Sequence, residues 1–194
     1  FAISAHAVRR AAVQAGDSVL VVGAGPLGVG AAALAKAQGA QVMVADTSLQ
    51  RRDHVAHQLD LPTLDPLASG FHDQLRDGFS GHLPQTVIDA TGSPQSMNQA
   101  VDLIRHGGSI VFVGLFKGDL QFSDPEFHKK ETTLMGSRNA TAEDFVRVGE
   151  LMQRGLLRAE MLLTHRLRFE ELGSTYEREV INNPQLIKGV IEFG

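Results

Sequence analysis

Gly23-Ala-Gly25-Pro-Leu-Gly28 sets three glycines at the spacing G-x-G-x-x-G, directly after the apolar run Val19–Val22. Between a strand and a helix, that spacing serves to bind a dinucleotide pyrophosphate. Gly23 allows a tight turn, Gly25 lets a phosphate approach the backbone, and Gly28 lets the helix pack close to the strand. Amides at the helix start then face the phosphates, favoured by the helix dipole. Asp46 closes the next apolar run. A carboxylate there accepts hydrogen bonds from the adenosine ribose and repels a 2′-phosphate, which favours NAD over NADP. Arg51 and Arg52 follow. An arginine here can accept that phosphate, but the plainer reading is a solvated helix face with one side chain covering the adenine. S-adenosylmethionine sites also use a glycine turn and an acid, so a methyltransferase stays open at this point.

Two later turns fit the same ligand. Asp89-Ala-Thr91-Gly92 ends a fourth strand, and Val113-Gly114-Leu115 ends a fifth. In a doubly wound sheet both loops lie at the carboxyl edge, beside the switch point. Thr91 and Gly92 are placed to line the adenosine side, and Gly114 and Leu115 to offer backbone groups to the nicotinamide carboxamide.

A nicotinamide enzyme also needs a group that polarises the substrate oxygen and takes its proton. No such group has a recognisable pattern here. The pair Tyr-x-x-x-Lys fails, because the single tyrosine, Tyr176, has Val180 at the lysine position. No serine sits in a nucleophile elbow. His54-Val-Ala-His57, with Asp53 adjacent, puts two imidazoles at i, i+3, a spacing that shares a helix face. It lacks a third ligand, and a solvated surface is the plainer reading. The remaining histidines carry no motif.

The elements that must position these residues alternate. Strands are predicted at Val19–Val22, Gln41–Ala45, Thr63–Leu64, Thr86–Ala90, Ser109–Val113 and Thr132–Gly136, with helices at Leu27–Gln38 and Arg51–Leu59. Ser93-Pro94 starts a helix with a serine cap and a proline first turn, and Met97, Val101 and Ile104 form its buried stripe. Thr141 to Asp144 reads as a capping box, with Phe145, Val148 and Met152 as the stripe behind it. The tail predicts a short extended piece, a helix near Glu170–Val180 and a last strand Leu186–Phe193. The fold class is therefore α/β, a doubly wound parallel sheet of the Rossmann type.

Composition bounds the rest. Of 194 residues, 43% are hydrophobic and 21% charged, with a net charge of −4, so no basic surface predicts nucleic acid as a partner. With no cysteine, disulfides and thiolate metal sites within the chain are excluded. The uncharged run Ser18–Ala35 is long enough for a membrane span, but the glycine turn inside it would leave backbone groups unpaired in lipid. A cytoplasmic location is the default. The first residue is Phe1 within a helix-compatible stretch, which predicts a piece of a longer protein.

In order along the chain come "AHAVRRAAVQAGDSVLVVGAGPLG", "DATGSP", "GGSIVFVGL", "FHKKETTLMGSR" and "LLTHRLRFEEL". This ordered set resembles the zinc-dependent medium-chain dehydrogenases, in particular their polyol and sugar-acid branch of sorbitol, L-idonate and L-galactonate dehydrogenases. The resemblance implies that residues 1–16 are a connecting helix from an N-terminal catalytic domain, 17–155 the dinucleotide-binding domain, and 156–194 a return segment towards the catalytic domain. It implies hydride transfer from a secondary alcohol to NAD. The zinc ligands and the proton relay would precede Phe1, and no catalytic or metal residue would lie in this chain. Carried over by position, Gly23, Gly25, Pro26, Leu27 and Gly28 match the pyrophosphate turn, Asp46 the ribose acid, and Arg51 a basic position near the adenosine. Val113, Gly114 and Leu115 match the nicotinamide-side loop. Ser137 and Arg138 follow the sixth strand near cofactor or substrate, and Lys188 aligns with a basic residue that reaches the pyrophosphate. The implied partners are a polyol or sugar-acid substrate and further copies of the chain, as a homodimer or homotetramer, with Leu115–Phe122 as a candidate contact segment. The other reading is a free-standing module that senses a nucleotide without catalysis.

Overall fold

The computed structural model describes all 194 residues. Helix α1 (Ala2–Arg10) leads into strand β1 (Ser18–Val22), helix α2 (Pro26–Ala37) and strand β2 (Gln41–Ala45). Then follow α3 (Leu49–Leu59), β3 (Thr63–Leu64), α4 (Phe71–Gly78), β4 (Thr86–Asp89) and α5 (Pro94–Gln99), which runs on as a 3-10 turn over Ala100–Leu103. Strand β5 (Ser109–Phe112), α6 (Asp124–Lys129), β6 (Thr133–Gly136) and α7 (Ala142–Gln153) complete the alternation. A tail carries β7 (Leu163–Arg168), α8 (Leu172–Tyr176) and β8 (Lys188–Glu192).

The first six strands form one sheet in the order β3-β2-β1-β4-β5-β6, and every pairing is parallel. The apolar runs explain this. A strand covered by helices on both faces needs no polar alternation. Val19, Val21, Val42, Val44, Ile88 and Val111 point to one face, where α1, α2 and α7 cover them. Leu20, Met43, Val87, Ile110 and Phe112 point to the other, under Phe71, Leu75 and the residues of α5. Each buried aliphatic side chain contributes about 1.5–3 kcal/mol, so the two faces together anchor the strand ends at which loops emerge.

The structure departs from the sequence reading in four places. Helix α4 was not foreseen, although Phe71, Leu75 and Phe79 at four-residue spacing are all buried. Helix α6 was likewise not foreseen; Ser123 caps it, accepting from the Glu126 amide. On α7 the buried positions are Asp144, Val148 and Leu151, whereas Phe145 and Met152 are exposed. The reason is α1: its Arg9 and His6 meet Asp144, which rotates α7 so that the acid faces inward. Finally, the expected helix near 170–180 is broken. It comprises a 3-10 turn at Phe169–Glu171, the short α8, and a π-helical turn over Glu177–Ile181.

Strands β7 and β8 pair in parallel as a separate two-stranded sheet. Phe169 and Phe193 stack beside it at 4.7 Å between ring centroids, while Tyr176, Ile181, Ile191 and Phe193 remain exposed. No helix is long and apolar enough to cross a membrane.

Candidate dinucleotide site

Strands β1 and β4 are neighbours from which the chain departs in opposite directions across the sheet, so their carboxyl ends border a crevice. A cleft of about 640 Å³ opens there. Gly23, Gly25, Asp46, Thr47 and Arg51 line one side, and Thr91, Ser93, Ser96 and Gln99 line the other. Phe71 and His72, at the start of α4, also line it.

The glycine turn is shaped by contacts within the protein. Gly23 has φ +95°, and its amide donates to Ala45 O at 2.7 Å. A Cβ on Gly28 would collide with the Gly23 carbonyl oxygen. Nothing lies within 4 Å of where a Cβ on Gly25 would project, so this backbone faces open space. Pro26 occupies the first turn of α2 and no side chain caps the helix, which leaves its leading amides for a ligand.

Asp46 is buried, at 8% exposure. Its carboxylate accepts from the Ala24 amide at 2.6 Å and from the Ser48 amide at 2.8 Å. Each oxygen retains a second lone pair, so a ribose hydroxyl can still donate to it. The two arginines separate clearly. Arg52 donates to the Asp46 carbonyl at 2.6 Å and pairs with Asp65 at 3.3 Å, so it braces the β2 end. Arg51 instead lines the cleft, and its Nε is buried without a hydrogen-bond partner.

The other sequence-predicted residues fall around this cleft rather than in its lining. Pro26, Leu27 and Gly28 form the first turn of α2. Gly92 abuts the loop after β5, where a Cβ would come within 3.0 Å of Leu115 O. Val113 and Gly114 are half-buried and Leu115 is exposed. Ser137 follows β6, is buried, and its Oγ has no partner; Arg138 beside it is exposed. Lys188 begins β8, opposite Leu163 in the small sheet, is exposed, and its charge lies near the Phe1 amino group. Leu115–Phe122 forms no strand, and the edges of the sheet are β3 and β6. His54 Nε2 lies 2.8 Å from Met161 O and His57 Nδ1 lies 2.7 Å from Asp53 O, so both rings are engaged with backbone. No three metal-ligating side chains converge, so the residues present do not fit a zinc ion.

Sequence reasoning missed Phe71, His72 and Asp89. The first two belong to the unforeseen α4. Asp89 read only as the end of a strand, yet it is fully buried and accepts three hydrogen bonds from Thr91 and Ser96.

A six-stranded parallel sheet with helices on both faces, a glycine turn at the switch point and a buried acid at the end of β2 define a Rossmann-type fold. The profile of the zinc-binding dehydrogenase family matches residues 26–154, and the chain belongs to that family. L-galactonate-5-dehydrogenase of Escherichia coli (strain K12) is 69% identical over 193 residues, covering 100% of this chain and 57% of that protein. Sorbitol dehydrogenase of Halalkalibacterium halodurans is 28% identical over 177 residues, covering 88% of the chain and 51% of that protein. The solved structure of L-idonate 5-dehydrogenase from Escherichia coli superposes with a TM-score of 0.84 at 23% identity, covering 99% of the chain and 54% of that structure. The chain thus spans about half the length of the curated relatives it matches.

Proposed function

We propose that this chain is the NAD-binding part of a zinc-dependent dehydrogenase that oxidises a secondary alcohol of a sugar acid, L-galactonate or a close analogue, with NAD. The observation that carries the cofactor reading is the cleft itself: an uncapped helix N-terminus, open space over Gly25, the Asp46 carboxylate and the unpartnered Arg51 Nε converge on one crevice. The sugar-acid reading is supported by the 69% identity to the L-galactonate enzyme.

In this reading Gly23, Gly25, Pro26, Leu27 and Gly28 hold the pyrophosphate through backbone amides and the helix dipole. Asp46 accepts from the ribose hydroxyls, and its negative charge disfavours a 2′-phosphate. Arg51 lies over the adenosine, with Thr91 and Gly92 opposite. Val113, Gly114, Leu115 and Ser137 extend towards the nicotinamide, whose ring, when bound, accepts the hydride. Arg138 and Lys188 are reserve cations for phosphate or substrate. The zinc ligands and the proton relay would lie in a catalytic domain outside these residues, a reading supported by the chain's spanning 57% of the L-galactonate enzyme. Residues 1–16 would connect from it, 17–155 form the cofactor domain, and 156–194 return to it. The protein would be cytoplasmic and a homodimer or homotetramer.

Calorimetry on the full-length protein tests this with NAD, NADP and S-adenosylmethionine. Micromolar NAD binding with weaker NADP is expected. Binding of S-adenosylmethionine without NAD would overturn the cofactor reading. Zinc-loaded full-length protein should form NADH with L-galactonate; NAD binding without turnover on any polyol or sugar acid would favour a nucleotide-sensing module.

A further inference from the structure

Asp89 ends β4, at the strand beside the switch point, and is wholly buried. Burying a carboxylate is unfavourable unless hydrogen bonds replace its water. Here they do. Oδ1 accepts from the Thr91 amide at 2.9 Å and the Thr91 hydroxyl at 2.6 Å, and Oδ2 accepts from the Ser96 hydroxyl at 2.6 Å. Thr91 Oγ1 in turn accepts from the Ser93 amide at 3.0 Å. The side chain therefore fixes the turn that becomes the far wall of the adenosine cleft.

The backbone of the same residue points the other way. Its carbonyl accepts from the Val113 amide at 2.8 Å and the Gly114 amide at 3.1 Å. Between these two anchorages the backbones touch. A Cβ on Gly114 would collide with Gly92 N, and a Cβ on Gly23 would come within 3.0 Å of Thr91 Cγ2. Thr91 and Gly92 are thus wedged between the glycine turn and the loop after β5, and Asp89 holds both sides of the wedge.

We infer that Asp89 is a positioning residue for the dinucleotide, one that sets the separation between the adenosine cleft and the 113–115 loop so that a single ligand spans both. This rests on the cofactor reading above. A ligand with only the adenosine half would feel one side of the wedge, whereas NAD would feel both.

The test compares AMP with NAD binding to the full-length protein by calorimetry. Asp89→Asn keeps the volume but places an amide donor against hydroxyl and amide donors. Expected is a loss of both, NAD by about tenfold or more and AMP by clearly less, because AMP meets only the Thr91–Ser96 wall whereas NAD also needs that wall in register with the 113–115 loop. Thr91→Val should reproduce that split, and Thr91→Ser, which keeps the hydroxyl, should bind NAD as the wild type does. If Asp89→Asn does not fold, the Thr91 pair decides alone. Parallel loss of both ligands, or no loss of either, would overturn the role. Wild-type protein that binds neither nucleotide would remove the cofactor reading itself, a result visible before any variant is made.

Discussion

The Asp46 carboxylate accepts a 2.6 Å hydrogen bond from the amide of Ala24, the residue between the first two glycines of the turn. The acid that would read the ribose is therefore also a brace of the loop that would hold the phosphates. Asp46→Ala removes both functions. We expect NAD to bind about 10–100-fold more weakly, the scale of one or two charge-assisted hydrogen bonds. We expect no comparable gain in NADP affinity, because the loop is loosened for both cofactors. Titration of the variant with each cofactor checks this; a clean switch to NADP would show that the loop does not depend on Asp46.

The three glycines should behave differently under substitution. Gly28→Ala drives a methyl into the Gly23 carbonyl, and the helix must move off the strand. That variant should lose about 2 kcal/mol or more of stability together with NAD binding. Gly25→Ala meets nothing within 4 Å, at a φ of −75° that alanine adopts freely. Its stability should stay within about 1 kcal/mol of wild type. Its NAD affinity should nevertheless fall about tenfold or more, since the methyl fills the phosphate approach. Denaturant melts paired with calorimetry separate the two outcomes.

Asp144 joins helices α1 and α7. Its side chain is 2% exposed, accepts from Arg9 Nε at 2.9 Å, and completes a capping box with Thr141. The Arg9 guanidinium and then the Thr141 amide hold this carboxyl well below the usual carboxylate range, against the opposing effect of burial. A folded-state pKa below the unfolded value contributes stability above the unfolded value, which is lost as pH falls through the folded one. Wild-type stability should therefore decline below about pH 4. Asp144→Asn should cost about 2–3 kcal/mol at pH 7 and flatten that acid limb. Urea midpoints at pH 7 and pH 2.5 for both proteins measure the difference; an equally steep limb in the variant would assign the acid sensitivity elsewhere.

What could be seen in the sequence follows the range of the forces involved. Strands β1, β2, β4 and β5 were legible because a strand buried on both faces is a continuous apolar run, as in Val19–Val22; β3 and β6, at the edges, were read from their place in the alternation. The glycine turn and Asp46 were legible because their spacing reflects local geometry. Helix α4 escaped because Gly70 gives it no side-chain cap and Pro62, Pro66 and Gly70 surround it with loop signals. The buried face of α7 escaped because Asp144 is turned inward by residues far away in sequence. Arg51 and Arg52 look alike as letters. Only the fold shows that Arg52 is occupied by Asp65 and the Asp46 carbonyl while Arg51 faces the cleft.

The tail gives the last prediction. A two-stranded sheet is marginal in water, and parallel pairing is the weaker kind. Strands β7 and β8 pair only with each other; Ile187 ties their start to the main core, but Phe169, Tyr176, Ile181, Ile191 and Phe193 are exposed. Exposed apolar side chains of this kind are suited to a contact surface. If residues 156–194 return to a catalytic domain, the amides of 163–168 and 188–192 should exchange hydrogen within seconds in the 194-residue chain by itself. They should be protected at least 100-fold more strongly in the full-length protein, about 2.7 kcal/mol of added local stability. Amides of β1 and β4, inside the six-stranded sheet, serve as the internal control and should show similar protection in both. Fast exchange of the tail in the full-length protein would mean that this segment docks on nothing, and the boundary at residue 156 would lose its support.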